Sequence, residues 1–189
     1  AEKILGGWEV DFAIPKGENV LINNLIKKGK IFLSSGDFLP QKNQKDGSIP
    51  VYGGNGIQGY HNKYNFKGEL ISVGRVGAKC GCVHYINGPC WITDNSFVLI
   101  VKDSSYINTK FLALILKKAK LNKFATVSAQ PSINQSCIRN IKFLLPPLDI
   151  QRKIVEELDK EMQALEKVKM LKEKAEKRIE EILEEVWGE

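Results

Sequence analysis

Beyond Pro146-Pro147 the chain runs from Leu148 to Trp187 with neither glycine nor proline, and Gly188 is the first interruption. Within that run Ile154, Leu158, Met162, Leu165, Val168, Leu171, Ala175, Ile179, Ile182 and Val186 recur by threes and fours. The mean step is about 3.6 residues, between the heptad and the plain helix repeat. Glu156–Lys160 and Glu173–Lys177 stand at i,i+4 in the favoured order. One long helix is therefore expected, with Asp149 as its N-terminal cap. At about 1.5 Å per residue it forms a rod on the order of 60 Å long. A stripe of that length outruns what residues 1–147 can cover, so it calls for a partner helix. Its ordinary role is packing rather than chemistry.

The charge divides at the same place. The 189 residues carry a net +6, but residues 148–189 hold 9 basic and 13 acidic side chains. Residues 1–147 hold 19 basic and 9 acidic ones, a net +10. A body so basic favours a polyanion as partner. Hydrophobic residues at 43% and charged residues at 26% are near the globular average, which argues against wholesale disorder. No stretch reaches the roughly 18 apolar residues of a membrane span. The opening Ala1 to Trp8 lacks an apolar signal region. An intracellular protein without a membrane role is expected, and the start on Ala1 leaves processing or trimming open.

Residues 8–14 alternate as a strand, and Val20 to Ile26 read as a short helix ending near Gly29. Gly36 to Pro50 is a polar loop containing Lys42, Asn43, Gln44 and Lys45. Ile49 to Tyr60 (IPVYGGNGIQGY) holds four glycines in seven positions, which permits close approach of another backbone. Residues 69–76, 81–86 and 96–102 read as strands, with turns at Gly77 and Asn87-Gly88-Pro89. Residues 109–121 have a helical period and a basic end, Lys117, Lys118, Lys120 and Lys123, for which the helix dipole offers a purely structural reading as well. Residues 138–145 read as an apolar strand. The fold class is α+β: a compact β-rich domain with a few helices over 1–147, then a long coiled-coil-forming helix over 148–189.

Catalytic patterns are missing. The one Gly-Lys pair, Gly29-Lys30, is followed by Ile31 and makes no P-loop. His61 and His84 are the only histidines, and no Gly-x-Ser-x-Gly turn accompanies them. No Glu-x-Lys occurs for a metal-dependent nuclease. Leu145-Pro146-Pro147-Leu148 lacks the polar and aromatic members that an amino-methyltransferase uses. Cys80, Cys82 and His84 alternate along an expected strand, on one face. With Cys90 they form a conceivable zinc set, but small buried residues are the ordinary reading, and no metal is assigned. The balance favours a binding module over an enzyme.

Four segments, in order, resemble the DNA-specificity (S) subunit of type I restriction–modification systems. They are Ile49 to Tyr60; Ile71 to Gly81 (ISVGRVGAKCG) with Trp91 to Asn95; Ser128 to Ile141 (SAQPSINQSCIRNI); and Leu145 to Leu158 (LPPLDIQRKIVEEL). With Gly7-Trp8-Glu9-Val10 the likeness covers nearly the whole chain. It implies one target-recognition domain that reads half of a bipartite site in double-stranded DNA, followed by a spacer helix. It implies no chemistry in this chain. S-adenosylmethionine, ATP and Mg belong to the modification and restriction subunits it would join, in a prokaryotic cytoplasm. Full S subunits carry two recognition domains and two helices, so one of each suggests a half-subunit that pairs with its own copy through residues 149–187, or a fragment of a longer chain. Two alternatives stay open: a recognition domain from a fused restriction–methylation polypeptide, and a coiled-coil adaptor without DNA specificity.

Base reading needs amides, guanidinium or hydroxyl groups, and phosphate contact needs cations or backbone N–H groups. Asn55, Gln58 and Tyr60 fit base contact, and a hairpin turn explains them equally well. Arg75 and Lys79 bracket Val76-Gly77 and suit phosphate, with plain solvation as the alternative. Gln130, Ser132, Asn134 and Gln135 can reach bases or pin a loop to the sheet. Lys42, Asn43, Gln44 and Lys45 occupy the longest polar loop, where specificity often sits, and a solvated surface turn explains them equally well. His61 reads as a polar turn residue.

Overall fold

The structure, a computed structural model, describes residues 17–40, 42 and 47–187. The strand expected at 8–14 lies outside the described residues, as do Asn43, Gln44 and Lys45.

The chain divides into two units, Ala1–Gln151 and Arg152–Glu189. Among the described residues, the first opens with β1 (Glu18–Leu21), α1 (Ile22–Lys27) and β2 (Ile31–Ser35). The short helix expected from Val20 is thus split, because Val20 pairs with Phe143 in a two-stranded ladder. A hairpin follows, β3 (Ile49–Gly53) and β4 (Gly56–His61), then β5 (Glu69–Gly74), β6 (Val83–Asn87), β7 (Trp91–Ile92) and β8 (Ser96–Val101). After α2 (Thr109–Lys118) come a 3-10 turn (Leu121–Phe124), α3 (Gln135–Arg139) and β9 (Lys142–Leu145). The strand expected over 138–145 is therefore a helical turn followed by a strand. Asn134 starts the turn, its Oδ1 accepting the Cys137 N–H at 3.3 Å.

Among the described residues three sheets build the body. The largest has the order β2-β8-β5-β6 with antiparallel neighbours; β4-β3-β7 and β1-β9 complete the set. In β5, Leu70, Ile71, Ser72 and Val73 are all buried, as a strand covered on both faces requires. One face carries a cluster of Leu70, Ile86, Cys90, Ile92 and Val98, with Tyr52, Phe66 and Ile100 packed on it. The apolar side of α2 supplies the buried Phe111, Leu112, Ala113 and Leu116. Phe111, Leu112 and Leu116 each contribute about 1.5–3 kcal/mol through burial.

The basic end expected of helix 109–121 lies partly beyond the helix. Ala119 caps α2, and Lys120 adopts the left-handed conformation at φ 49°. Cys80 and Cys82 are not strand residues either. They lie in a turn ahead of β6, where Gly81 has φ 84°. Of Cys80, Cys82 and His84, His84 alone lies on a strand, β6. Among the described residues no three metal-ligating side chains gather into a set.

The described residues of the second unit lie within α4, which runs from Leu148 to Trp187. The helix starts one residue earlier than expected, so Asp149 sits in its first turn rather than at its cap. Lys172–Glu176 and Arg178–Glu181 pair along its surface. Met162, Leu165, Val168, Leu171, Ala175, Ile179, Ile182 and Val186 are exposed, while Ile154 and Leu158 are half-buried. Among the described residues no helix is long and apolar enough to cross a membrane.

Candidate nucleic-acid interface

The glycine-rich segment is a hairpin. Gly53 opposes Gly56, leaving Gly54 and Asn55 as the turn. Gly56 takes the positive φ, 100°, while Gly54 and Asn55 do not. A type I′ turn would need it at both central residues. A bulge between Val51 and Tyr52 shifts the register, so that Val51 faces Gly59 and Tyr52 faces Ile57. The Gln58 side chain folds over Gly53: a Cβ on Gly53 would stand 1.7 Å from Gln58 Oε1. Asn55, Gln58 and Tyr60 all remain exposed. His61 is no turn residue. It ends β4, and its ring meets Trp91 edge-on at 5.3 Å.

The hairpin tip rests on the end of β5. The Gly53 carbonyl accepts the Ser96 hydroxyl at 2.8 Å, and the Gly54 carbonyl accepts the Cys82 thiol at 3.3 Å. Burial raises the Cys82 pKa, so the group stays a thiol able to donate. Gly74 makes this approach possible, since a Cβ there would stand 2.0 Å from the Gly54 oxygen. Beneath Gly56 lies His84, whose pKa is lowered by burial and then by the charge of Lys117.

A third segment joins at the same place. The Arg75 carbonyl accepts the Ile133 N–H at 2.8 Å, and the Pro131 carbonyl accepts the Gly77 N–H at 2.9 Å. Val76 and Ser132 form an antiparallel bridge between them. The segment closes on itself, because the Thr126 N–H donates to Ser132 O at 2.9 Å and the Ser132 N–H donates to Thr126 Oγ1 at 3.1 Å. Residues 127–130 project from this closure as an exposed knuckle.

The candidate residues therefore fall into different roles. Asn55, Gln58, Tyr60 and Gln130 stand exposed on the hairpin and the knuckle. Ser132 pins the knuckle, Asn134 begins α3, and Gln135 Oε1 accepts Arg139 Nη2 at 3.1 Å. Those three hold the scaffold. Arg75 is half-buried: its guanidinium lies 5.3 Å from the Phe97 ring centroid, and Nη1 donates to Asp94 O at 3.4 Å. Lys79 and Lys42 are exposed. The structure adds Gly74, Ser96 and Thr126, which hold the segments together. Gly74 falls inside the segment Ile71 to Gly81, but its role depends on a residue twenty positions earlier. Ser96 and Thr126 carry no local signal.

A β-rich body carrying such loops, followed by a long helix, defines a class that family comparison identifies directly. The family model described as "Type I restriction modification DNA specificity domain" matches residues 14–177, and the chain belongs to that family. It is 34% identical over 111 residues to the type I restriction enzyme EcoprrI specificity subunit of Escherichia coli, covering 59% of this chain and 27% of that protein. The S subunit of a type I restriction-modification system from M. genitalium has a similar fold, with TM-score 0.71 and 19% identity over 87% of this chain and 43% of that one. The HsdS subunit from Thermoanaerobacter tengcongensis is also similar, with TM-score 0.58 and 18% identity over 87% of this chain and 41% of that one. The chain thus spans less than half the length of each.

Proposed function

We propose that the chain is the DNA-reading part of a type I specificity subunit, recognising one half of a bipartite target in double-stranded DNA. The observation that carries this is the convergence of the hairpin tip and the knuckle on the end of β5. Two loops with exposed amides and a tyrosine are held there, the hairpin tip by the Ser96 hydroxyl and the Cys82 thiol and the knuckle by main-chain hydrogen bonds, within a body of net charge +10. The chain itself is non-catalytic in this reading. It docks modification and restriction subunits, which supply the S-adenosylmethionine, ATP and Mg chemistry.

The long helix serves as spacer and joins a second copy. Leu165 and Leu171 are 50% and 66% exposed in the isolated chain, and an apolar stripe of that kind is stable when another helix covers it. A two-fold pair predicts a target with two equal halves around a gap. Mapping methylated bases in cells that gain this chain and its modification subunits tests the reading. A new interrupted motif with two equal halves supports it. An asymmetric motif means that this chain works as one part of a longer subunit, and no new motif refutes the assignment. A monomeric mass by light scattering at micromolar concentration removes the homodimer from the account.

A further inference from the structure

Two stretches of the body hold no acidic residue. Residues 70–93 contain two basic residues, and residues 104–148 contain seven. The fold brings parts of both together beside the hairpin. The turn from Lys79 to Cys82, closed by the Cys82 N–H donating to Lys79 O at 3.1 Å, lies against the backbone of the 3-10 turn. A Cβ on Gly81 would stand 2.5 Å from Asn122 N. Lys120 and Lys123 flank that contact. Lys117 stands in the last turn of α2, which packs on β6, the strand whose His84 sits beneath the hairpin glycine Gly56.

Lys79, Lys117, Lys120 and Lys123 are all exposed. Among the described residues none of their ammonium groups has an ion-pair, hydrogen-bond or ring partner. A helix dipole accounts for Lys117, in the last turn of α2. It does not account for Lys120, which follows the cap with φ 49° and is the only non-glycine residue with positive φ among the described residues. Glycine is the usual occupant of that position, and lysine holds it only with strain.

We propose that Lys79, Lys117, Lys120 and Lys123 form the phosphate grip of the recognition domain, a cationic strip that positions the duplex beside the hairpin tip. This rests on the DNA-reading function above and assigns it a backbone-binding site. Arg75, engaged with Phe97 and Asp94, is left out of the grip.

The test uses the full chain and a random-sequence duplex over a potassium chloride series, because phosphate binding is independent of sequence. Lys120→Gly removes the charge while placing the favoured residue at the strained position. Combined with Lys123→Ala, it should flatten the slope of log K against log salt by about 0.9 for each phosphate no longer neutralised. Its melting temperature should be held or raised. Lys79→Gln, on a separate turn, should flatten the slope independently. A steep wild-type slope that none of these variants changes overturns the grip and leaves the DNA-reading proposal standing. A wild-type chain with no salt-dependent DNA binding overturns the DNA-reading proposal itself.

Discussion

Gln151 is fully buried, and its Oε1 accepts the backbone N–H of Asn108 at 2.8 Å. Its Nε2 donates to Pro146 O at 2.8 Å and to Tyr106 O at 3.1 Å. Asn108 in turn caps α2, its Oδ1 accepting the Phe111 N–H at 2.9 Å. One carboxamide therefore satisfies three main-chain groups from two separate parts of the body.

Gln151→Ala should leave those three groups without their partner. A buried unsatisfied group costs about 1–3 kcal/mol, and a total loss of about 3 kcal/mol is expected. Gln151→Glu should also destabilise at neutral pH, since a carboxylate cannot donate to the two carbonyls. Urea unfolding of each variant measures the loss.

Gly74→Ala should loosen the hairpin. The new methyl group meets the Gly54 carbonyl oxygen, so the tip must lift from β5. Overpacking of this kind costs about 1–3 kcal/mol. Faster amide hydrogen exchange is expected at the tip. Sequence-specific DNA binding should fall while salt-dependent, nonspecific binding persists.

Arg75→Ala should act on folding. It removes the guanidinium over Phe97 and the donor to Asp94 O. A loss of about 1 kcal/mol in unfolding free energy is expected from the ring interaction. Thermal denaturation reads it.

Asp103 gives a pH dependence. Hydrogen bonds from Lys30 and then Ser105 hold its carboxyl at about 2, against an ordinary value of 3.8. Its folded pKa is depressed, so its contribution to stability is present above 3.8 and is lost as pH falls through about 2. Asp103→Asn should flatten the acid limb of the stability profile in that window and leave the neutral range less stable than wild type.

The long helix was legible because a 3.6-residue period repeats over many turns without a breaker. Short segments were not. Ile138 and Ile141 stand at a helical spacing, whereas Phe143 and Leu145 alternate as in a strand, so a run of that length cannot be assigned by pattern alone. Val20 is a strand residue because its partner is Phe143, far away in the chain. The segments Ile49 to Tyr60, Ile71 to Gly81 and Ser128 to Ile141, which meet at the candidate surface, were legible one by one but not as an arrangement. Arg75 looks like a surface cation in sequence. Its place over Phe97, and the meeting of Gly54 with Gly74, arise from tertiary packing with no local signature.

Selection of bound duplexes from a random-sequence library, with the chain mixed with the modification subunits proposed as its partners, tests the central claim most directly. The account predicts enrichment of one short, defined half-site, and disappearance of that enrichment in the Gly74→Ala variant. Retained duplexes with the same sequence distribution as the starting library would contradict it.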